Sequence, residues 1–225
     1  MVKLMIHRIF SVLIALSFLV TLAFSQDLST SRDAIACTST VLTSDARLET
    51  CARALEFEVR SSAQRQAIIL GYRARAWTEQ GELERSIADL TQAIELSPEL
   101  PAAYEGRADI LRNNDQCDLA IADYNKVIQL LPEKPQIYFG RGVCQIDLRR
   151  DSDAILDLDR AIILDKSTQR GTAILSLSVK ARLSASKRDF EAAAASFGEA
   201  IKLDPARTQL YLDRGAVWNA KGDDA

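Results

Sequence analysis

The sequence repeats with a period of 34 residues, and this period constrains the fold more than any other feature. Four stretches read as copies of one unit, and a shorter fifth copy follows them: 67–100, 101–134, 135–168, 174–207 and 208–225. A fixed period of this length is typical of helical solenoids, because each unit buries its apolar face only against its neighbours. The 9 Gly and 5 Pro among 225 residues suit long helices joined by short turns.

Small side chains recur at two places of each copy. At the eighth place stand Ala74, Ala108, Gly142, Ala181 and Gly215. At the twentieth place stand Ser86, Ala120, Ala154 and Ala193. Two helices cross closely only where side chains are short, so the eighth residue of the first helix (A) should meet the twentieth residue of the second helix (B). Larger residues should fill the space around this crossing: Leu70, Tyr104, Tyr138, Leu177 and Tyr211 on A, and Leu90, Tyr124, Leu158 and Phe197 on B.

Two further places complete the pattern. Three copies have Ala at the twenty-seventh place and three have Pro at the thirty-second: Ala93, Ala161 and Ala200, then Pro98, Pro132 and Pro205. This arrangement resembles the tetratricopeptide repeat (TPR) over residues 67–225. The resemblance implies an all-α fold, a right-handed superhelical solenoid of antiparallel helix pairs whose A helices line a concave groove. Five extra residues, 169–173, depart from the family period, and we expect the superhelix to bend or loosen there.

Residues 1–25 have the features of an export signal. A positively charged start precedes an apolar run over 9–22, and small residues follow at the positions that a signal peptidase reads. The run is shorter than the roughly 20 residues that a membrane span needs. We therefore expect cleavage before Gln26 and a product in the periplasm or outside the cell, with membrane contact only if the leader stays uncleaved.

Residues 26–66 lack the small-residue pattern. We expect an N-terminal helical hairpin or degenerate repeat, with helices over 33–42 and 45–59, that covers the first full unit. Cys37 and Cys51 lie seven residues on either side of Ser44, where the hairpin would turn, so their side chains would be level. A disulfide between them suits an exported protein, and two buried thiols are the alternative.

A second cysteine pair, Cys117 and Cys144, is less well placed. Counted from a turn at Pro132, the two residues lie about four positions, or ~6 Å, out of step along the helix axis. This offset disfavours a bridge between them.

Charge and histidine content exclude several functions. The formal net charge is −3, and neither basic runs nor stripes of basic and aromatic residues occur, so nucleic acid is not an expected partner. The sequence has one His, His7, which lies in the leader. Catalysis by His-based dyads or triads is therefore excluded from the mature chain, and we expect no catalytic residue, metal site or cofactor.

A basic residue occupies the seventh place of every copy. These residues are Arg73, Arg107, Arg141, Lys180 and Arg214. Around the turn between helices A and B, the seventh place is level with the twenty-third, which is Asp89, Asp123 and Asp157 in the first three copies. One interpretation is an exposed ion pair within each unit, and the other is a ladder of basic side chains that binds an acidic ligand. The recurrence of Asp with Arg favours the first.

The TPR resemblance also indicates a peptide-binding groove. The residues that we assign to it are Arg75, Glu79, Glu105, Asp109, Arg112, Phe139, Val143, Ile146, Asp147 and Arg182. In the third copy Phe139, Val143 and Ile146 are apolar, whereas the surrounding residues are charged. An apolar patch rimmed by mixed charge suits an extended peptide or an amphipathic helix. The alternative is that these three side chains belong to the core.

The leading hypothesis is a non-catalytic TPR scaffold that binds a protein or peptide in the cell envelope or outside the cell. The export signal and the Pro-marked helical period resemble those of bacterial TPR proteins sent to the periplasm. A hydrolase that uses Asp109 and Asp147 as acid and base is a less favoured alternative. A self-assembling structural protein is another, since the last helix presents Leu212, Ala216 and Trp218 on its outer face. Either the sequence is a fragment or this end meets another chain.

Overall fold

The structure is a computed structural model that describes residues 32–39, 41–57, 62–165 and 170–223. All regular secondary structure in these ranges is helical. The predicted export signal, residues 1–25, lies outside the described residues. The chain divides into two compact parts, Met1–Leu100 and Pro101–Ala225.

The described residues of the first part form four helical segments. They are α1 (32–37), α2 (Ser44–Phe57), α3 (Ala63–Glu79) and α4 (Leu83–Leu96). Helix α2 packs on α3, and α3 pairs with α4. Within the described residues α1 ends at residue 37, short of the predicted Leu42. The backbone carbonyls of Ser39 and Leu42 accept hydrogen bonds from the Arg47 guanidinium instead, at 3.3 and 3.2 Å, so the chain turns without leaving them unpaired.

In the second part, residues 101–165 and 170–223, which the structure describes, form seven helices. They are α5 (Pro101–Asn113), α6 (Cys117–Leu130), α7 (Pro135–Asp147), α8 (Asp151–Leu164), α9 (Gly171–Ser186), α10 (Phe190–Leu203) and α11 (Thr208–Asp223). Helices α5 and α6, α7 and α8, and α9 and α10 form pairs, and α11 packs on α10. Helix α7 also contacts both α5 and α9, so the A helices of successive pairs lie side by side.

The helix crossings confirm the predicted role of small residues. Ala74, Ala108 and Ala181 are at most 1% exposed, and all four small residues at the twentieth place are fully buried. A Cβ atom added to Gly142 would lie 3.3 Å from the Ala154 carbonyl oxygen and from Leu158 Cγ. Side chains at this place are therefore limited by the partner helix itself.

The fifth copy does not follow this pattern. Gly215 is exposed, and an added Cβ would meet no atom within 4 Å. Tyr211, predicted to fill space around a crossing, is 42% exposed. That prediction was wrong, because no described residue supplies a second helix over this part of α11.

The turns between A and B share one backbone feature. Their fifteenth-place residues, Gly81, Asp115, Arg149 and Arg188, all have positive φ angles, between 58° and 80°. This left-handed conformation ends helix A and reverses the chain, and it is readily adopted by Gly but strained for Arg.

The five-residue insertion is partly helical. Helix α9 begins at Gly171, so three of the five extra residues lengthen this helix. The Asp165 carboxylate accepts a hydrogen bond from the Ala173 backbone amide at 2.9 Å and thereby ties the end of the preceding unit to the start of α9.

Both cysteine pairs lie at disulfide distance. The Cα atoms are 4.9 Å apart in Cys37–Cys51 and 5.0 Å apart in Cys117–Cys144, within the range that a disulfide spans. The prediction that Cys117 and Cys144 are out of step was wrong. Residues 131–134 are not helical, and each non-helical residue can advance the chain by up to ~3.3 Å rather than ~1.5 Å. This difference brings Cys144 on α7 level with Cys117 on α6.

Candidate protein-binding face

In the first three copies, the basic residue of the seventh place forms an ion pair within its own unit. Arg73, Arg107 and Arg141 each donate two hydrogen bonds to the Asp at the twenty-third place of the same unit, at 2.7–2.8 Å. These contacts confirm the interpretation that Arg at the seventh place pairs with Asp of its own unit. The prediction that the pairs are exposed was wrong, since the three Asp side chains are only 7–9% exposed. Hydrogen bonding to Asp123 and Asp157 raises the pKa of Arg107 and Arg141 above the usual value.

The same side chains also join successive units. Arg141 donates a third hydrogen bond, at 2.6 Å, to Asn125 of the preceding pair. Lys180, whose own unit has Ser196 where the others have Asp, pairs with Asp159 of the preceding pair at 2.6 Å. In the first four copies, the seventh-place residue is therefore paired with a carboxylate of its own or the preceding unit, and these four residues do not form a free ladder for a ligand.

In the first unit, the predicted groove residues Arg75 and Glu79 are bound to each other, and Glu79 is also bound to Arg47 of the N-terminal hairpin. Glu79 accepts hydrogen bonds from Arg75 at 3.0 Å and from Arg47 at 3.1 Å. Arg47 is only 3% exposed, so Glu79 balances a buried cation. We infer that Glu79 fastens α2 to α3, a role that its spacing in the sequence did not indicate.

In the second unit, the predicted groove residues of α5 are paired with neighbouring side chains. Lys134 donates to Glu105 at 2.6 Å. The Tyr124 hydroxyl donates to Asp109 at 2.6 Å, and Arg112 lies 3.6 Å from the same carboxylate. Burial, together with the negative charge of Asp109, raises the pKa of Tyr124 far above its ordinary value.

Gly140 allows this group to lie close to α7. A Cβ atom at Gly140 would stand 2.6 Å from the Tyr124 hydroxyl and 3.1 Å from an Arg112 guanidinium nitrogen. The missing side chain thus leaves room for Tyr124 and Arg112 against α7. Sequence reasoning missed Gly140 and Lys134, although Gly at the sixth place of the second and third copies, where the other copies have larger residues, was a visible signal.

Phe139, Val143 and Ile146 lie on α7 and are half-buried. Each of the three side chains keeps part of its surface exposed. Asp147, at the end of the same helix, is exposed and lies 3.6 Å from Cys117 Sγ.

Arg182 of α9 is exposed and is paired with Asp213 of α11 at 3.1 Å. We call the surface formed by α5, α7 and α9, with these predicted residues, the A-helix face. The predicted self-association residues Leu212 and Trp218 are 62% and 46% exposed, and Ala216 is also exposed.

Within the described residues, no three His, Cys, Asp or Glu side chains are grouped so that they could hold a metal ion. No helix in those ranges has both the length and the hydropathy of a membrane span.

These features define an all-α helical-repeat protein: stacked antiparallel helix pairs, small residues at the crossings, and a residue with positive φ in each turn between helices A and B. Two stretches, 105–169 and 176–207, match family models of the tetratricopeptide repeat. The chain therefore contains TPR repeats. This fold is typical of protein-interaction scaffolds.

Solved structures agree with this fold. A tetratricopeptide repeat protein from Parabacteroides merdae is 20% identical, with a TM-score of 0.73 over 87% of this chain and 74% of that one. MamA (41-end) from Desulfovibrio magneticus RS-1 is 17% identical, with a TM-score of 0.68 over 81% and 96%. YrrB, a TPR protein with an unusual peptide-binding site, is 19% identical, with a TM-score of 0.61 over 78% and 85%. No curated protein matches the sequence.

Proposed function

We propose that this chain is an exported, non-catalytic scaffold that binds a peptide or amphipathic helix of another protein on the A-helix face. The observation that carries the proposal is the apolar group Phe139, Val143 and Ile146, half-buried on α7 between α5 and α9. Covering the remaining apolar surface would favour binding, as in other complexes in which a helix or an extended peptide lies on an apolar strip.

The charges around this group favour an apolar rather than a strongly charged ligand. Glu105 is paired with Lys134, Asp109 with Tyr124 and Arg112, and Arg182 with Asp213. A ligand that relied on charge would have to compete with these pairs, whereas apolar side chains would not. The solved structure of YrrB, described as having a peptide-binding site, supports a peptide ligand for this fold.

The arrangement of carboxylates supports a non-catalytic role. A hydrolase built on paired acids needs two carboxyl groups free to face one substrate. Asp109 accepts a hydrogen bond from the Tyr124 hydroxyl and is flanked by Arg112. Its chemistry is that of a structural acceptor.

Export is supported by two independent features. The leader has the composition of a signal peptide, and all four cysteines of the sequence form pairs at disulfide distance. Such pairs persist in oxidising compartments. Mass spectrometry of the product from the exporting cell should give a mature N-terminus at Gln26, and an intact leader on the whole population would contradict cleavage.

Site-specific photocrosslinking in the exporting cell tests the binding face. A photoreactive residue at position 139 should capture a discrete protein, whereas one at Leu156, which is 69% exposed on α8, should not. Val143→Ser should reduce the capture from position 139, because it removes apolar contact surface beside it. Equal capture from both positions, or capture that Val143→Ser leaves unchanged, would show that the A-helix face is not the binding site.

A further inference from the structure

The Cys117–Cys144 pair lies at one end of the neighbouring helices α6 and α7. Cys117 is the first residue of α6, and Cys144 belongs to the last turn of α7. The loop 131–134 joins the same two helices at the opposite end. The pair therefore connects the two helix ends that the loop leaves apart, and it holds the last turn of α7 against the start of α6.

Other contacts of α7 with α6 and the loop lie nearer to the loop. The Tyr138 hydroxyl donates a hydrogen bond to the Pro132 carbonyl at 2.9 Å. Arg141 donates one to the Asn125 side chain of α6 at 2.6 Å. Both donors lie in the first seven residues of α7. This half of α7 is therefore held in place by contacts that do not depend on the cysteine pair.

The other half of α7 depends more strongly on the cysteine pair. Beyond the end of α7, Arg150 pairs with Asp118 of α6 at 3.2 Å, but these side chains are 50% and 70% exposed, and such a pair contributes little. Val143 and Ile146, two of the three apolar residues of the A-helix face, lie on either side of Cys144 in the sequence. The bridge thus holds the segment that carries part of this face.

Asp147 gives the reduced pair a hydrogen-bond partner. Its carboxylate lies 3.6 Å from Cys117 Sγ, within reach of a thiol donor. A disulfide sulfur has no proton to donate, so only the reduced pair can form this hydrogen bond. In the N-terminal hairpin, Cys51 Sγ has only the uncharged Cys37 carbonyl, at 3.9 Å. A charged acceptor gives the stronger hydrogen bond, so the reduced form is favoured more at Cys117 than at Cys51.

We propose that the Cys117–Cys144 bridge is a redox switch that controls the mobility of residues 143–147. A protein dithiol reduces it: one thiolate attacks a bridge sulfur to form a mixed disulfide, and the second sulfur of the reductant then displaces the protein sulfur. Two electrons and two protons pass to the cysteines, which become thiols, while the reductant becomes a disulfide. Reduction leaves the fold intact and loosens Val143 and Ile146. Loosening them weakens ligand binding, a consequence that rests on the proposed function.

Hydrogen exchange on the full-length protein tests the switch without a ligand. Adding dithiothreitol to the oxidised protein should make the amides of 143–147 exchange about tenfold faster or more, while those of 138–141 change by less than about twofold. Unchanged exchange at 143–147 would overturn the proposal. Faster exchange throughout α5 to α8 would overturn it too, because reduction would then unfold this part of the chain.

Substitutions identify the pair that is responsible. Cys117→Ser with Cys144→Ser should exchange at 143–147 as the reduced protein does. Cys37→Ser with Cys51→Ser, kept oxidised, should exchange there as the untreated protein does. If the second variant also exchanges faster at 143–147, the response is global and the proposal is wrong.

A redox titration tests the role of Asp147. Mixtures of reduced and oxidised dithiothreitol, followed by alkylation and mass spectrometry, give the ratio at which half of the Cys117–Cys144 pair is reduced. Asp147→Ala should raise this ratio of reduced to oxidised reagent about three- to fivefold, because the thiol loses its acceptor. Asp118→Ala removes an acid that pairs with Arg150 instead, and should change the ratio by less than about twofold. Equal shifts would refute the contribution of Asp147 to the switch.

Photocrosslinking from position 146 tests the consequence for binding. Capture in the exporting cell should fall about threefold or more in Cys117→Ser with Cys144→Ser, because a smaller fraction of the chain has the binding-competent α7. Undiminished capture would overturn this consequence. Absence of capture from the wild-type chain would contradict the proposed function, and hydrogen exchange would still decide whether the switch exists.

Discussion

Tyr124 illustrates how burial and one neighbouring carboxylate can fix the protonation of a hydroxyl. Its ring is fully buried and its hydroxyl donates to Asp109. Burial and the neighbouring carboxylate both disfavour the tyrosinate, so the native state keeps the phenolic proton at pH values at which an unfolded chain would release it.

This difference gives stability a defined pH dependence. Because the pKa of Tyr124 is raised in the native state, its contribution is present in full below the unfolded value of about 10 and is lost as pH rises above it. Tyr124→Phe should lower the free energy of unfolding by about 1 kcal/mol at neutral pH. Above pH 10 the gap between wild type and variant should narrow. Urea unfolding of wild type and variant at pH 7 to 11 measures this difference in the free energy of unfolding. Tyr211→Phe, at an exposed position, is the control and should leave the free energy of unfolding unchanged across this range.

A second residue-scale prediction concerns Glu79. Glu79→Ala leaves the guanidinium of Arg47, only 3% exposed, without a carboxylate. We expect a loss of about 2–3 kcal/mol in the free energy of unfolding, because an uncompensated buried charge is costly. Glu49→Ala removes the exposed partner of Arg53, four residues away on α2, and should cost less than about 0.5 kcal/mol. Equal effects in chemical denaturation would refute the role of Glu79 in fastening the hairpin.

At the scale of the elements, the helix pairs were predictable because their cause is local. Small residues at matched heights dictate where A crosses B, and each crossing needs only one unit of sequence. The Arg–Asp pairs were predictable for the same reason, since both partners lie in one hairpin. Their burial was not, because a residue count does not give the depth at which a side chain lies between packed helices.

Features that depend on the path of a loop or on a neighbouring helix could not be predicted from the sequence. The alignment of Cys117 with Cys144 is set by the advance of the chain through 131–134, which a residue count does not provide. The exposure of Tyr211 depends on whether a helix covers α11. The hydrogen bond from Tyr124 to Asp109 was also missed, because place nine had been assigned to the groove.

The turns provide an element-scale prediction. Arg149 has a φ of 60°, a conformation that costs a non-Gly residue about 1 kcal/mol or more. Arg149→Gly should therefore raise the free energy of unfolding by about 0.5–1 kcal/mol. Arg160→Gly, at an exposed position inside α8, should lower it by about 1 kcal/mol. If thermal denaturation shows both substitutions to be destabilising, the left-handed conformation at place fifteen is not a source of strain.

At the scale of the whole molecule, the cysteine pairs connect stability with location. One pair joins α1 to α2, and the other joins α6 to α7. Each pair closes a loop in the unfolded chain, and a closed loop lowers the entropy of that state. A reducing compartment would remove this contribution, whereas an oxidising one would keep it.

Reduction should therefore destabilise both parts of the chain, by roughly 3 kcal/mol for the 14-residue separation and slightly more for the 27-residue one. Guanidinium unfolding with and without a phosphine reductant measures the sum. Hydrogen exchange on the double Ser variants separates the two effects. Cys37→Ser with Cys51→Ser should loosen α1 and α2, and Cys117→Ser with Cys144→Ser should loosen α6 and α7. A midpoint that does not respond to the reductant would mean that the pairs are not bonded, and export would then rest on the leader alone.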